Sequence, residues 1–530
     1  SSDTPSSIAA NGNIYTLGIS FTTPSKGGDS LYVRVLDNSI YDAAGVEAEF
    51  IAGDVRYFAI LNDVVPPVIS STAPNQNSYV NHTKVSYTLN DAAASGTITW
   101  TRTGGSADSN SPHAQALAGD ELNTGAHTNI TLTNNPTLVD GAIYTISFDA
   151  KDATGNAAIT VSITSVTYDI TAPTFTSISP ADSSKINYTT ITYSLSETIS
   201  WGSIIWTRTG GSEDSSSPDT VLLAGDELKS GDHTGITLTN SPTLVDGSEY
   251  TISFNGADLA GNTATTVSKK GVTYDFTAPT ISSVSPSGNS YINNAKVSYT
   301  LSEAAASGTI AWIRTGGSED SNSPHAKALS GDELNIGAHT DITLTNSPTL
   351  VSGTVYTVSF DATDAAGNEA TTISNTSVTY DVTAPTISSI SPATSSYVNH
   401  AKVSYTLSES LSSGTVTWTR TGGSADSNSP HAKALTGDEL NTGTHTDITL
   451  TNSPTLIDGA IYTVSFGATD LAGNSATIVS STGITYDITP PVISSTDPSQ
   501  SSYINNTNVS YTLSEAAASG TIAWIRTGGS

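Results

Sequence analysis

The chain has 530 residues, 48 of them acidic and 18 basic, for a formal net charge of −30 at pH 7; this excludes the basic footprint that nucleic-acid binding needs. With 12% charged and 36% hydrophobic residues, the composition is that of folded domains and not of a disordered acidic tail. Cys and Met are absent, which excludes disulfide stapling and suits a bacterial secreted protein, and no stretch is apolar enough to span a bilayer and no signal peptide, lipidation or sorting motif is visible.

Residues 1–63 differ from the rest of the chain. Leu31-Tyr-Val-Arg-Val-Leu-Asp37 and Asp42-Ala-Ala-Gly45 read as later strands of a diverged sandwich domain, and Leu61-Asn-Asp63-Val-Val-Pro-Pro67 gives a first junction. A period then sets in. Trp100, Trp206, Trp312, Trp418 and Trp524 succeed one another at steps of 106 residues, each before Arg-Thr-Gly-Gly by one position. The Tyr-Asp pairs ending in Asp169, Asp275, Asp381 and Asp487 keep that step and lead into Thr-Ala-Pro or Thr-Pro-Pro. A unit of this length buries its own core, so the array is a string of domains and not a stacked solenoid. Near-copies at domain length span distance or present equal surfaces; a single-site enzyme is not built that way. The expected division is 64–169, 170–275, 276–381 and 382–487 as four complete repeats, with 488–530 as the opening strands of a fifth. The two ends are expected to be a window onto a longer array. The competing reading is that they complement each other between copies of the chain, head to tail, by strand addition.

The third repeat stands for all. Thr277-Ala-Pro-Thr-Ile-Ser-Ser-Val-Ser-Pro286 predicts an extended incoming strand, since Pro suits an edge or first strand and resists helix. In Ala295-Lys-Val-Ser-Tyr-Thr-Leu-Ser-Glu303, Val297, Tyr299 and Leu301 alternate with polar residues, a half-buried strand. A loop over 304–308 leads to a strand Thr309–Arg314, broken at Gly316-Gly317. A polar stretch, a Gly-Asp-Glu-Leu segment and the alternating His339-Thr-Asp-Ile-Thr-Leu-Thr345 come next. Leu350 to Asn368 and a last strand to Tyr380-Asp381 complete it. About seven short strands with turn signals and no helical period indicate an antiparallel β-sandwich. The Leu-x-x-Gly-x-x-Tyr spacing at Leu138/Gly141/Tyr144, Leu244/Gly247/Tyr250, Leu350/Gly353/Tyr356 and Leu456/Gly459/Tyr462 predicts a tyrosine corner, whose hydroxyl ties a turn to nearby backbone. The periodic Trp is expected in the core.

Asp381-Val-Thr-Ala-Pro385, Tyr299-Thr-Leu-Ser-Glu303 and Asp364-Ala-Ala-Gly-Asn368 recur over residues 64–530. In these motifs the repeats resemble bacterial immunoglobulin-like, fibronectin type III-like domains of large surface adhesins and other giant extracellular proteins. The resemblance implies an all-β tandem array of antiparallel immunoglobulin-like β-sandwich domains forming an extended rod. It also implies an extracellular, bacterial cell-surface location, a spacer role without catalytic activity, and calcium at the junctions.

In such a sandwich the second-to-third and sixth-to-seventh strand loops lie at the end where the chain comes in. The repeat places an acid in each loop and another in the linker. The trios are Asp63/Asp91/Asp152, Asp169/Glu197/Asp258, Asp275/Glu303/Asp364 and Asp381/Glu409/Asp470, while Asp487 and Glu515 begin a fifth. Converging carboxylates repel unless a cation sits among them. Oxygen ligands without His or Cys select a hard cation, and flexible loops favour Ca²⁺ over Mg²⁺. The alternative is that these acids cap turns and bind loop amides. Asp149 and Asp361 give way to Asn255 and Gly467 in sister repeats and are weaker ligand candidates.

His127, His233, His339 and His445 recur in Gly-x-His-Thr; His113, His325 and His431 form a second set, with Asp219 in that place in repeat two. Neither set has zinc spacing, and packing or surface polarity is their expected role. Catalytic motifs are absent. Lys84, Lys296 and Lys402 align, but Thr190 and Asn508 interrupt the series, which argues against an isopeptide cross-link. The expected function is a structural stalk of a surface adhesin or fibre. Its expected partners are neighbouring repeats, other copies of the chain, and host or biofilm surface ligands, with neither nucleic acid nor membrane insertion. Rival readings are a glycan site in each repeat in the polar region 104–122 and its copies, and an accessory module of an extracellular enzyme.

Overall fold

A computed structural model describes residues 63–528 and, before them, the strands Ser7–Asn11, Ile14–Gly18, Ser30–Tyr32 and Phe58–Ile60. The sequence motif at Asp42 lies outside the described residues. The chain divides into two units, Ser1–Phe276 and Thr277–Ser530. In the first, Ser7–Asn11 pairs with Ile14–Gly18 and Ser30–Tyr32 with Phe58–Ile60, both antiparallel.

Repeat 2, wholly inside the first unit, shows how each repeat is built. A three-stranded sheet has Ile191–Leu195 at its centre, flanked by Phe175–Ser179 and Gly231–Ile236. A five-stranded sheet runs in the order Lys185–Ile186, Val267–Tyr274, Ser248–Asp258, Ile199–Gly211, Asp219–Leu222. All pairings are antiparallel except the first, where Lys185–Ile186 runs parallel to Thr273–Tyr274. The same three-plus-five arrangement recurs once more in this unit and twice in the second. In the second unit Ile493–Asp497 also pairs with Ser510–Leu513.

The period-two pattern read in the sequence is the cause of this layering. Ile191, Tyr193 and Leu195 are buried while Thr192 and Ser194 are not, and Ile204 and Trp206 turn inward from the facing sheet. Trp206 is fully buried and meets the Tyr250 ring edge-on at 6.0 Å. Trp100, Trp312 and Trp418 meet Tyr144, Tyr356 and Tyr462 in the same way. Truncating such a ring to Ala costs about 3–5 kcal/mol. In all four repeats the indole Nε1–H is buried without an acceptor, so ring volume and not a hydrogen bond holds this residue in place.

The tyrosine corner is present and does more than the spacing predicts. The Tyr250 hydroxyl accepts the Val245 N–H (3.0 Å) and donates to Asp214 Oδ2 (2.8 Å). It joins its own turn to the loop after the Trp strand. That strand does not break at the glycines. It runs to Gly211 through a bulge at Arg208/Gly210, and Gly211 takes φ +68 with its missing Cβ 2.0 Å from the Gly247 carbonyl oxygen. Only glycine permits that approach. The Gly-Asp-Glu-Leu segment is a short 3₁₀ turn, Gly225–Leu228. Its buried Glu227 accepts the Ala224 N–H (2.7 Å) and the Thr239 N–H (2.6 Å), while the Tyr193 hydroxyl donates to the Glu227 carbonyl (2.7 Å).

Tyr250→Phe would leave the Val245 N–H without its buried acceptor and Asp214 Oδ2 without its hydroxyl donor, while Oδ1 keeps those of Ser216. The expected loss is about 1–3 kcal/mol, confined to repeat 2. Hydrogen-exchange mass spectrometry of the full chain should show faster exchange in peptides from 199–258 and none in the matching peptides of repeats 3 and 4.

Candidate metal centres at the repeat junctions

The linker aspartate is held by the repeats on both sides of it. In the first unit the Asp169 N–H donates to the Val80 carbonyl (2.9 Å), extending the parallel pairing of Tyr79–Val80 with Thr167–Tyr168. The Asp169 carbonyl accepts from Asn262 Nδ2 (2.8 Å), in a loop of repeat 2. Asn262 also donates to Asp258 Oδ2 (2.7 Å), and its Oδ1 accepts from Asn81 Nδ2 of repeat 1 (3.1 Å). The second unit repeats every contact. The Asp381 N–H donates to Ile292 O (2.8 Å), and Asn474 Nδ2 to Asp381 O (2.9 Å) and Asp470 Oδ2 (2.8 Å). Asn293 Nδ2 donates to Asn474 Oδ1 (3.3 Å).

This grip brings carboxylates together. Asp169, Glu197 and Asp258 each offer an oxygen within 4.8 Å of the others, as do Asp381, Glu409 and Asp470. Asp258 and Asp470 are 1% exposed. Asp258 Oδ1 is fixed by the N–H groups of Ala260 and Asn262 (both 2.8 Å), and Asp169 Oδ1 accepts the Thr171 N–H (3.1 Å). Turn capping therefore accounts for the aspartates. It does not account for the glutamates, since among the described residues none donates to Glu197 or Glu409. Burial, then the charges of Asp169, Asp258 and Asp140, pushes the Glu197 carboxyl above its ordinary value. Burial, then Asp381 and Asp470, does the same to Glu409. Asp169 is raised by burial and then by Asp258 and Asp140. A like-charged, half-buried, oxygen-only donor set is neutralised by a proton or a hard cation. The donor set is compatible with a hard cation. Around the first trio lie Tyr79, Thr198, Ser230 and Leu259, which line a shallow cavity with Asp169 and Glu197.

Asp63, Asp91 and Asp152 are not gathered within this distance. Asp63 and Asp152 keep their places: Asn156 Nδ2 donates to the Asp63 carbonyl (2.7 Å) and to Asp152 Oδ2 (2.7 Å). Position 91, however, carries Asp where the sister repeats carry Glu. Its side chain is one methylene shorter, and Oδ1 caps the Ala92 N–H (2.8 Å) in an exposed position. Asp275 belongs to the first unit and Glu303 and Asp364 to the second. Asp275 Oδ2 accepts from Lys185 Nζ (3.4 Å), a cation supplied by the protein where repeat 1 has Tyr79. Asp364 is 3% exposed and capped by the N–H groups of Ala366 and Asn368 (both 2.8 Å). Asp487 accepts the Thr489 N–H (3.1 Å), and one Glu515 oxygen is buried without a hydrogen bond.

The profile of the bacterial Ig-like domain matches residues 169–277, 275–380 and 381–485. The chain belongs to the bacterial Ig-like domain family. No curated protein matches it. Among solved structures, the crystal structure of chicken CNTN1 FN1–FN3 domains aligns at 12% identity, with a TM-score of 0.23, over 59% of this chain and all of that one. That likeness is too weak to carry an argument. Tandem bacterial Ig-like repeats are a structural module, and among the described residues no helix is long and apolar enough to cross a membrane.

The remaining polar motifs of these bacterial Ig-like repeats have structural partners. His127, His233, His339 and His445 stack on Tyr87, Tyr193, Tyr299 and Tyr405 at 4.6–4.7 Å. His113, His325 and His431 pair with the buried carboxylates of Asp108, Asp320 and Asp426. Asp149 and Asp361 accept from Thr160 and Thr372. Lys296 and Lys402 form exposed ion pairs with Asp341 (2.9 Å) and Asp447 (3.1 Å). The buried Glu of the Gly-Asp-Glu-Leu turn and the junction Asn pairs were not anticipated from the sequence. The strict recurrence of both motifs was the available signal.

Asn262→Ala removes the bridge between the linker, Asp258 and Asn81. With no native Cys, the substitutions Thr101→Cys and Thr207→Cys at exposed positions give a clean spin-label pair within the first unit. The expected outcome is a broader distance distribution for the Asn262→Ala chain, while the fold of repeat 2 is kept.

Proposed function

We propose that the chain is a non-catalytic structural spacer of a bacterial extracellular protein, the stalk of a surface adhesin or fibre, stiffened at its junctions by Ca²⁺. The observation that carries this is the linker aspartate, whose N–H belongs to one sandwich and whose carbonyl and carboxylate belong to the next. A spacer transmits position only if its linkers are fixed, and here the linker is part of both folds. Asp169, Glu197 and Asp258 would hold one ion and Asp381, Glu409 and Asp470 another. When bound, the ion supplies charge neutralisation. The protein's own residues do the rest: the aspartates are pre-oriented by loop amides, and each glutamate is left facing carboxylates alone.

Ca²⁺ that binds only the native junction stabilises it, by about 2.7 kcal/mol at a hundredfold excess over Kd. Adding Ca²⁺ to chelated full-length chain should raise Tm and narrow the interdomain distance distribution. Glu197→Gln with Glu409→Gln should abolish both responses at those two junctions while leaving the apo Tm equal or higher, because neither glutamate makes a hydrogen bond and both are repelled. A Ca²⁺ response at those two junctions that survives the double substitution, or no response in the parent chain, sinks the calcium reading and leaves turn capping. The spacer reading is tested separately by small-angle scattering, where a compact particle would overturn it.

Asp91→Glu supplies the missing reach at the first junction. Calcium titration calorimetry of this variant should show one additional site.

A further inference from the structure

Three of the four complete repeats begin their short edge strand with a histidine. The Nε2–H of His113, His325 and His431 donates to Asp108, Asp320 and Asp426 at 2.6, 2.7 and 2.6 Å. The same carboxylate oxygen accepts the hydroxyl of Tyr144, Tyr356 or Tyr462. Repeat 2 keeps the carboxylate, Asp214, and the tyrosine, Tyr250. In the histidine's place stands Asp219, opposite Trp206 in the sheet just as His113 lies opposite Trp100. A second carboxylate thus occupies the position from which a donor points at the first. Asp219 Oδ2 is buried and has no hydrogen-bond partner.

The charged and titratable groups on the elements packed around Asp219 are Glu213 and Asp214 of the preceding loop, Arg208 of the neighbouring strand, and Glu249, Tyr250 and, at its far end, Asp258 of the strand beyond it. Arg208 does not replace the imidazole, because its guanidinium donates to the carbonyls of Ser212 (2.5 Å) and Gly211 (2.6 Å). Glu249 bonds Thr209 on the exposed face. Asp214 keeps its own donors, the Ser216 hydroxyl (2.7 Å) and N–H (2.9 Å), besides Tyr250. The oxygen left without a donor is therefore Asp219 Oδ2.

We propose that Asp219 takes up a proton from solvent in folded repeat 2 and donates it, through its Oδ2–H, to the Asp214 carboxylate, so that this repeat alone carries a proton-dependent lock where its sisters use histidine. Burial, and then the charge of Asp214, raises Asp219 above its ordinary 3.8, against a smaller opposing hydrogen bond from Ser216. The native state then binds more protons than the unfolded one. The contribution is complete below pH 3.8 and is lost as pH rises through the raised value. Repeats 1 and 4 run the opposite way. Burial opposes it, but hydrogen bonds from Tyr144 and His113 hold Asp108 at about 2, and those from His431 and Tyr462 hold Asp426 at about 2. Their contribution is present above pH 3.8 and is lost as pH falls through about 2. As pH rises through the raised value of Asp219, repeat 2 loosens relative to its neighbours.

The test uses the full chain in chelator, with hydrogen-exchange mass spectrometry at pH 4 and pH 7.5 corrected for intrinsic rates. Peptides from 199–222 and 248–258 are compared with their counterparts in repeats 1, 3 and 4. Repeat 2 is expected to lose protection relative to them by on the order of tenfold per unit of pKa displacement. Asp219→Asn, whose amide donates at every pH, and Asp219→His, the residue of three sisters, should both remove that loss. The junction carboxylates titrate in parent and variants alike, so the difference between chains isolates Asp219. If repeat 2 tracks its sisters in the parent chain, or if both variants retain the excess loss, the lock does not exist.

Discussion

One residue belonging to two folds is the constraint on which the rest depends. A linker Asp that extends the last strand of one sandwich through its N–H has its direction set by that sheet. Its carbonyl is then claimed by an Asn of the next sandwich, as Asn262 claims Asp169 and Asn474 claims Asp381. The carboxylate is left facing the incoming end of the following repeat, where the second-strand Glu and the loop Asp already stand. The acidic trio is therefore a consequence of the linker's register. Neither sandwich contains it alone.

Within each repeat the apolar frame is nearly invariant and the polar fittings vary. Trp, Tyr and the alternating aliphatic residues fill the same positions four times. Around them the junctions differ in charge. Asp140 of repeat 1 bonds the linker at Ile170 and Thr171 and adds a fourth carboxylate to the field of Glu197. At the corresponding place in repeat 3, Ser352 donates to Asp381 Oδ1 (3.1 Å). Lys185 brings an ammonium where sister repeats have Tyr. A duplicated frame with altered fittings gives junctions of one geometry and unequal electrostatics. The Asp219 replacement obeys the same logic inside a core.

The net charge of −30 is spread over many such local arrangements. Carboxylates bound by loop amides are stabilised as anions: Glu333 and Glu439 sit below their ordinary values, because hydrogen bonds from Thr345 and Ser330, or Thr451 and Thr436, outweigh the burial that opposes them. Half-buried carboxylates that face only other carboxylates are pushed the other way by burial and then by those charges, as Glu197 and Glu409 are. The sign of the displacement separates acids held by donors from acids crowded by burial and like charge.

The sequence by itself determined the β-sandwich class, the repeat, the central strands and the core. Val297, Tyr299 and Leu301 alternate over enough residues to commit a face, and the Leu-x-x-Gly-x-x-Tyr spacing located the corner. It also located the acids, because the resemblance placed their loops at one end. Two-residue strands such as Lys185–Ile186 carry no period and were invisible, as was the continuation of the Trp strand through its glycines. Only the tertiary structure decided which acids meet. Asp91 and Glu197 read as equivalents, yet one methylene separates a carboxylate that reaches the linker from one that caps its own turn. Asp275 and Asp169 read as equivalents, yet a lysine a whole domain-length earlier in the chain sits beside one and not the other. Spacing along the chain fixes which residues share an end of a sandwich. Reach and charge partner are distances in space, set by side chains that the chain brings together from far apart.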